Sequence, residues 1–268
     1  MTVKRSKQSL KKIIELKDII FIRNQKIILN KINLTIHQGE NWVFLGKNGS
    51  GKTTLLNIIY GSLWPTSGVI KVFGKEYGNI PLNEIQKKIG ILQSEHQSER
   101  LQRNLTIEDI VSTGIFSTIG VYFEMEKTQK KVVQKVLKKF GWLKRKEENY
   151  SNLSSGEKKK ILLLRAIISN PKILILDEPC SSLDISARED FFEILNQIRK
   201  RKNFTSILIT HRPDEIPEFY THAALIKDGR LISSGEIEGQ FTDKKLSEIF
   251  SLSLKVLKKN RRFTVVPK

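Results

Sequence analysis

Residues 42–60, WVFLGKNGSGKTTLLNIIY, restrict this chain more than any other stretch. The strand-like run WVFL enters a loop that fits G-x-x-x-x-G-K-[ST], Gly46 to Thr53, and TTLLNIIYG leaves it with the apolar spacing of a helix. Such a loop holds backbone N–H groups at a helix N-terminus, where phosphate gathers them. Gly46, Lys47, Asn48, Gly49, Ser50, Gly51, Lys52, Thr53 and Thr54 are the expected cradle. A side chain at Gly51 would hinder the wrap. Lys52 would neutralise β- and γ-phosphate charge, and the Thr53 hydroxyl would ligate Mg²⁺.

Short apolar runs alternate with helical stretches along most of the chain, which predicts an α/β fold with a mostly parallel sheet. WVFLG, ILILDEP and SILITH read as buried strands. ELKDIIFI (15–22) and IILNKINLTI (27–36) read as an antiparallel N-terminal pair joined by a polar turn, Arg23–Lys26. Between Ser94 and Arg165 the pattern turns helical, with TIEDIVSTGIF and EKTQKKVVQKVLKKFGWL, and suggests a helical insertion between two parts of one core. The fold class expected is a P-loop NTPase core with an antiparallel N-terminal β subdomain and a helical subdomain.

Two further strand ends carry chemistry. Asp177 and Glu178 close ILILDEP, and ligands of an open parallel sheet collect at the carboxyl ends of its strands. Asp177 is a candidate Mg²⁺ ligand, and Glu178 a candidate base or positioning group for the attacking water. His211 closes SILITH and is a candidate for a hydrogen bond to the γ-phosphate. NLSSGEKKKILLLRA (152–166) starts a helix at which Ser154 and Glu157 fit a capping box, while Ser154, Ser155 and Gly156 present an anion-binding surface.

Composition sets the outer bounds. No apolar run approaches the roughly 20 residues of a membrane span, and the basic start MTVKRSKQSLKK lacks the apolar region of a signal peptide. A lone Cys180 excludes an intrachain disulfide framework. A soluble, cytoplasmic protein is expected. The net charge of +19 comes with lysines spread along the chain and no nucleic-acid-reading motif, so nucleic acid is not an expected partner.

Together GKNGSGKTT (46–54), LSSGE (153–157), ILILDEP (173–179), SSLD (181–184) and ITH (209–211) resemble the nucleotide-binding subunit of an ATP-binding cassette (ABC) transporter, in the order of that family. The resemblance implies one cassette domain over 13–240, with its core in 13–93 and 166–240 and its helical subdomain in 94–165. A basic tail, 1–12, precedes it and a short extension, 241–268, follows. ATP and Mg²⁺ are the implied cofactors. The resemblance also implies a head-to-tail dimer, with itself or a second cassette subunit, in which Ser154, Ser155 and Gly156 face ATP held on the partner's phosphate loop and the loop ending at Asp184 crosses the interface. An integral membrane permease would rest on the helical subdomain, with Leu105–Tyr122 the candidate contact, and place the protein on the inner face of the cell membrane.

Two positions depart from the family pattern. The family's adenine-stacking aromatic falls at Arg23, with Phe21 as the alternative. Its γ-phosphate-sensing and metal-contacting glutamine is either Gln93 or Gln97, and Gln97 fits a displaced form of the motif. That form, the segment LTIEDIVSTGIFSTIG and Cys180 are similar to the branch filed with molybdate-type and iron-complex importers, so metal, oxyanion or iron-complex import is implied. A soluble cassette ATPase without a permease, as in iron–sulfur cluster assembly, is the alternative.

Overall fold

The computed structural model describes residues 11–93, 104–116, 125–201 and 203–268. The chain opens with a hairpin, β1 (Lys12–Arg23) and β2 (Lys26–His37), whose two turn residues, Asn24 and Gln25, have φ of 49° and 62°. That left-handed pair follows the twist of the flanking strands, so the turn is tighter than the four residues expected. Arg23 therefore ends β1, paired across from Lys26. Strand β3 (Asn41–Leu45) and helix α1 (Lys52–Tyr60) flank the phosphate loop. Strands β4 (Ser67–Val72) and β5 (Lys75–Glu76) complete an antiparallel sheet in the order β2-β1-β4-β5.

Helix α2 (Leu82–Gln86) leads into β6 (Ile89–Gln93). Helices α3 (Ile107–Phe116), α4 (Lys127–Lys139) and α5 (Ser155–Ile167) follow, and among the described residues no strand intervenes before β7 (Ile173–Asp177). The expected division at 165/166 falls inside α5, because the buried run Ile161–Ile167 continues the helix under the sheet. Helix α6 (Ile185–Arg199), β8 (Thr205–Thr210), β9 (His222–Lys227) and β10 (Arg230–Glu236) complete the core. The central sheet runs β10-β9-β3-β8-β7-β6, parallel throughout except at its β10 edge.

The parallel strands β3, β6, β7 and β8 are buried on both faces, and their side chains sort by type. Ile173, Ile175, Ile207 and Ile209 point with Trp42 and Phe44 into a core shared with α1 and the antiparallel sheet. Leu174, Leu176 and Leu208 point with Val43 and Leu45 into the other core, shared with α3, α5 and α6. The two-residue period of a strand produces this partition, and double burial is why these strands read as unbroken apolar runs.

After β10 come the short helix α7 (Ile237–Gln240), helix α8 (Asp243–Phe250) and a hairpin of β11 (Leu254–Lys259) and β12 (Arg262–Pro267). Phe263 packs on Phe241, and Arg262 reaches Glu189 of α6 through two 2.9 Å hydrogen bonds, so the extension is folded onto the core. Among the described residues no helix is long and apolar enough to cross a membrane.

Candidate functional site

The carboxyl ends of β3, β6 and β7 open on a cavity of about 450 Å³ lined by Asn48, Gly49, Gly51, Lys52, Thr53 and Thr54 of the phosphate loop and by Gln93, Asp177, Glu178 and Ile28. Two glycines shape the loop. Gly51 has φ of 99°, and a Cβ there would lie 2.8 Å from Leu29 Cδ2 and 3.0 Å from the Ile28 carbonyl oxygen. A Cβ on Gly46 would collide with the Ile226 carbonyl of β9. Helix α1 then starts with no side-chain cap and no acidic residue in its first turn, which leaves its N–H groups and positive dipole end for a ligand.

Lys52 is 4% exposed, and its Nζ donates to the carbonyls of Gly46 and Lys47, both at 2.9 Å. Burial pulls its pKa down, while Glu178 and Asp177 pull it back up. The Thr53 hydroxyl donates to Asp177 Oδ1 at 3.3 Å. Burial pushes Asp177 up to about 6, aided by Glu178 and opposed by hydrogen bonds from Thr53 and Gln93 and by Lys52. Thr53 and Asp177 thus form a hydroxyl–carboxylate pair of the oxygen chemistry that Mg²⁺ takes, next to a cradle with space only for glycine. The residues fit the group. The Ser50 hydroxyl beneath the loop is buried with no hydrogen-bond partner among the described residues.

Glu178 sits at φ 45°, unusual for a residue with a side chain. Its N–H donates to Ile209 O at 3.0 Å, which ties the end of β7 to β8, and its Oε1 lies 3.2 Å from His211 Nδ1. So the strand ends of β7 and β8 bring Glu178 and His211 together. Gln93 ends β6 in register with Asp177 and donates through Nε2 to Asn57 Oδ1 at 3.0 Å. Gln97 lies outside the described residues, as does part of Leu105–Tyr122. Arg23 and Phe21 do not line the cavity, whereas Ile28, two residues beyond Lys26, does.

The segment Ser154–Gly156 does not line the cavity either. Ser154 Oγ accepts from Glu157 N and Glu157 returns a carboxylate oxygen to Ser154 N at 2.9 Å, the expected capping box. Arg145 holds Glu157 at 2.6 Å and, with the Ser154 N–H, keeps its carboxyl below the usual range. Asp184 caps α6 by accepting from Ala187 N at 2.7 Å. Arg145 and Asn57 had no signal in the sequence. Both act through tertiary contacts that no motif spacing records.

The ABC transporter family model matches residues 29–181. The ABC transporter ATP-binding protein YmeB of Lactococcus lactis is 37% identical over 256 residues, 95% of this chain and 98% of the relative. A relative from Thermotoga maritima named "Probable metal transport system ATP-binding protein" is 34% identical over 75% of each chain. Among solved structures, CbiO1 of Clostridium perfringens, part of the ABC transporter complex CbiONQ, superposes with a TM-score of 0.75 at 28% identity, over 89% of this chain and 94% of that one. With the phosphate loop, the strand-end carboxylates and the capped LSSGE helix all in the fold, the chain belongs to the ATP-binding proteins of the ABC transporter family.

Proposed function

We propose that the chain binds and hydrolyses ATP as the motor subunit of a membrane transporter, working as a head-to-tail dimer on the cytoplasmic face of a permease. One observation carries this: Lys52, Thr53, Asp177 and Glu178 share a cavity that Ser154, Ser155 and Gly156 of the same chain do not reach. An anion-binding helix start without a ligand of its own fits a site completed by a second subunit.

In this reading the uncapped start of α1 and Lys52 hold the β- and γ-phosphates. Mg²⁺, held by Thr53 and Asp177 with Gln93 or Gln97 beside them, would supply charge neutralisation there. Glu178 orients the attacking water and accepts its proton, and His211 fixes the Glu178 carboxylate and reaches toward the γ-phosphate. Adenine lies toward Ile28, with Arg23 or Phe21 as the group that stacks on it. Asp184 stands at the interface, and a permease docks on the helical segment that includes α3. We also propose the division into a cassette with a helical subdomain, a basic tail and a short extension. The metal-transport relative supports metal, oxyanion or iron-complex import as the cargo class. The reported relatives are transporter subunits, which does not favour a permease-free role in iron–sulfur assembly.

The test is Glu178→Gln captured from native cells with ATP and Mg²⁺. Loss of one general base costs about 10²–10⁴-fold in hydrolysis, so the ATP-closed dimer should accumulate and a polytopic membrane protein should co-purify. A variant that stays monomeric with ATP bound, or captures only soluble assembly factors, overturns the proposal.

A further inference from the structure

Lys159 is one turn into α5 and 7% exposed, an uncommon place for a lysine. Its Nζ donates to the Ser181 carbonyl oxygen and, at 3.1 Å, lies within hydrogen-bond reach of the Ser181 hydroxyl. Ser181 in turn donates to the Glu178 carbonyl oxygen from its hydroxyl at 3.0 Å and from its N–H at 3.2 Å. A buried cation thus joins the helix that begins at Ser154 to the turn that follows Glu178.

Two neighbours make the junction rigid. A Cβ at Gly156 would lie 3.0 Å from Ala187 Cβ and 3.7 Å from Leu183 Cδ2, so the glycine lets the first turn of α5 press on the start of α6. On the next residue, Lys160 pairs with Asp190 at 2.6 Å. The start of α5 is therefore held to α6 by packing at Gly156 and an ion pair at Lys160, and to the loop 178–184 by the Lys159 pin.

We infer that Lys159 is a positioning residue that makes the ATP site a subunit completes for its partner and the ATP site it builds for itself move as one piece. The inference rests on the dimer reading above. In that dimer Ser154–Gly156 touches one nucleotide and Glu178 the other. A displacement of α5 by the first is passed through Lys159 and Ser181 to the backbone of Glu178. Removing the donor uncouples the two sites without touching either nucleotide.

The experiment measures steady-state ATP hydrolysis against ATP concentration for wild type, Lys159→Met, Lys159→Arg and Ser181→Ala, with ATP-driven dimerisation of each followed in a Glu178→Gln background. The wild type should show a Hill coefficient approaching about 2, the number of sites. Lys159→Met should bring it to about 1 while ATP binding and dimerisation persist. Lys159→Arg should restore it, and Ser181→Ala should lower it partway. If Lys159→Met fails to fold, Ser181→Ala carries the test alone. A Hill coefficient unchanged in a Lys159→Met or Ser181→Ala protein that still dimerises overturns the inference and leaves the proposed function standing, as does a wild-type coefficient of about 1 with an intact dimer. Failure of the Glu178→Gln parent to dimerise with ATP overturns the dimer reading instead.

Discussion

Helices α1 and α5 both begin at segments read from the sequence as anion sites, and the structure finishes those two beginnings differently. Helix α1 follows Gly51, has no side-chain cap and carries no acidic residue in its first turn. Helix α5 follows Ser154, which caps it reciprocally with Glu157, and Arg145 covers the charge that Glu157 brings. The first is left without a cap and open to a ligand. The second is satisfied by its own chain and can only add N–H groups still facing outward. An uncapped start suits a tightly held phosphate. A capped one suits a surface that meets phosphate transiently, when another subunit brings it.

Lys52→Ala should break the comparison most severely. Losing charge-assisted hydrogen bonds to the phosphates costs about 3 kcal/mol, or roughly 100-fold in ATP affinity by titration calorimetry. Ser155→Ala should leave monomer affinity for ATP unchanged, since Ser155 lies outside the cavity, and weaken only ATP-driven dimerisation. Equal losses of monomer affinity would mean that the two helix starts serve the same nucleotide.

The Thr53–Asp177 pair at the start of α1 gives the next largest effect. Asp177 has a folded pKa of about 6 against an ordinary 3.8, so folding binds a proton between those values and stability falls as pH rises through that window. The cost is fully present above pH 6 and absent below the unfolded pKa. Asp177→Asn keeps an acceptor for Thr53 and removes that cost, on the order of 2–3 kcal/mol. Without nucleotide, the variant should melt about 5 °C above wild type at pH 8, and the gap should close toward pH 4. A gap that is constant with pH would show that ionisation of Asp177 is not its source.

Much of this was legible in the sequence because it is local. The strand–loop–helix at 42–60, the capping box at Ser154 and Glu157, and the doubly buried strands each follow from spacing within a few residues. Glu178 and His211 were each placed at a strand end, and the β7–β8 pairing brings them together. The rest depended on contacts distant in sequence. Arg145 meets Glu157 across a loop, Lys159 meets Ser181 across a helix and a strand, and Gly156 reads as anion-site backbone although its missing side chain also admits Ala187. Turn chemistry was under-read as well. Asn24–Gln25 and Asn260–Arg261 both take left-handed φ in two-residue hairpin turns, and asparagine in the first position is the available signal for each.

The smallest effects separate capping from charge at α5. Ser154→Ala removes a cap, costing about 1 kcal/mol and lowering the melting temperature by about 3 °C. Glu157→Gln keeps the reciprocal hydrogen bond and removes only the charge. Because the Arg145–Glu157 pair is partly solvated, that change is worth under about 0.5 kcal/mol and should vanish in high salt. Its use lies in the cycle with Arg145→Ala. In the wild-type background Arg145→Ala bares the Glu157 carboxylate beside the surface proposed to meet the partner's phosphate, and ATP-driven dimerisation should weaken. In the Glu157→Gln background only the Glu148 carboxylate loses its partner, and the same substitution should weaken dimerisation much less. Equal effects in both backgrounds would assign Arg145 to folding of the helical segment. The charge argument for the capped helix would then fail, and the uncapped α1 would be the sole helix start adapted to phosphate.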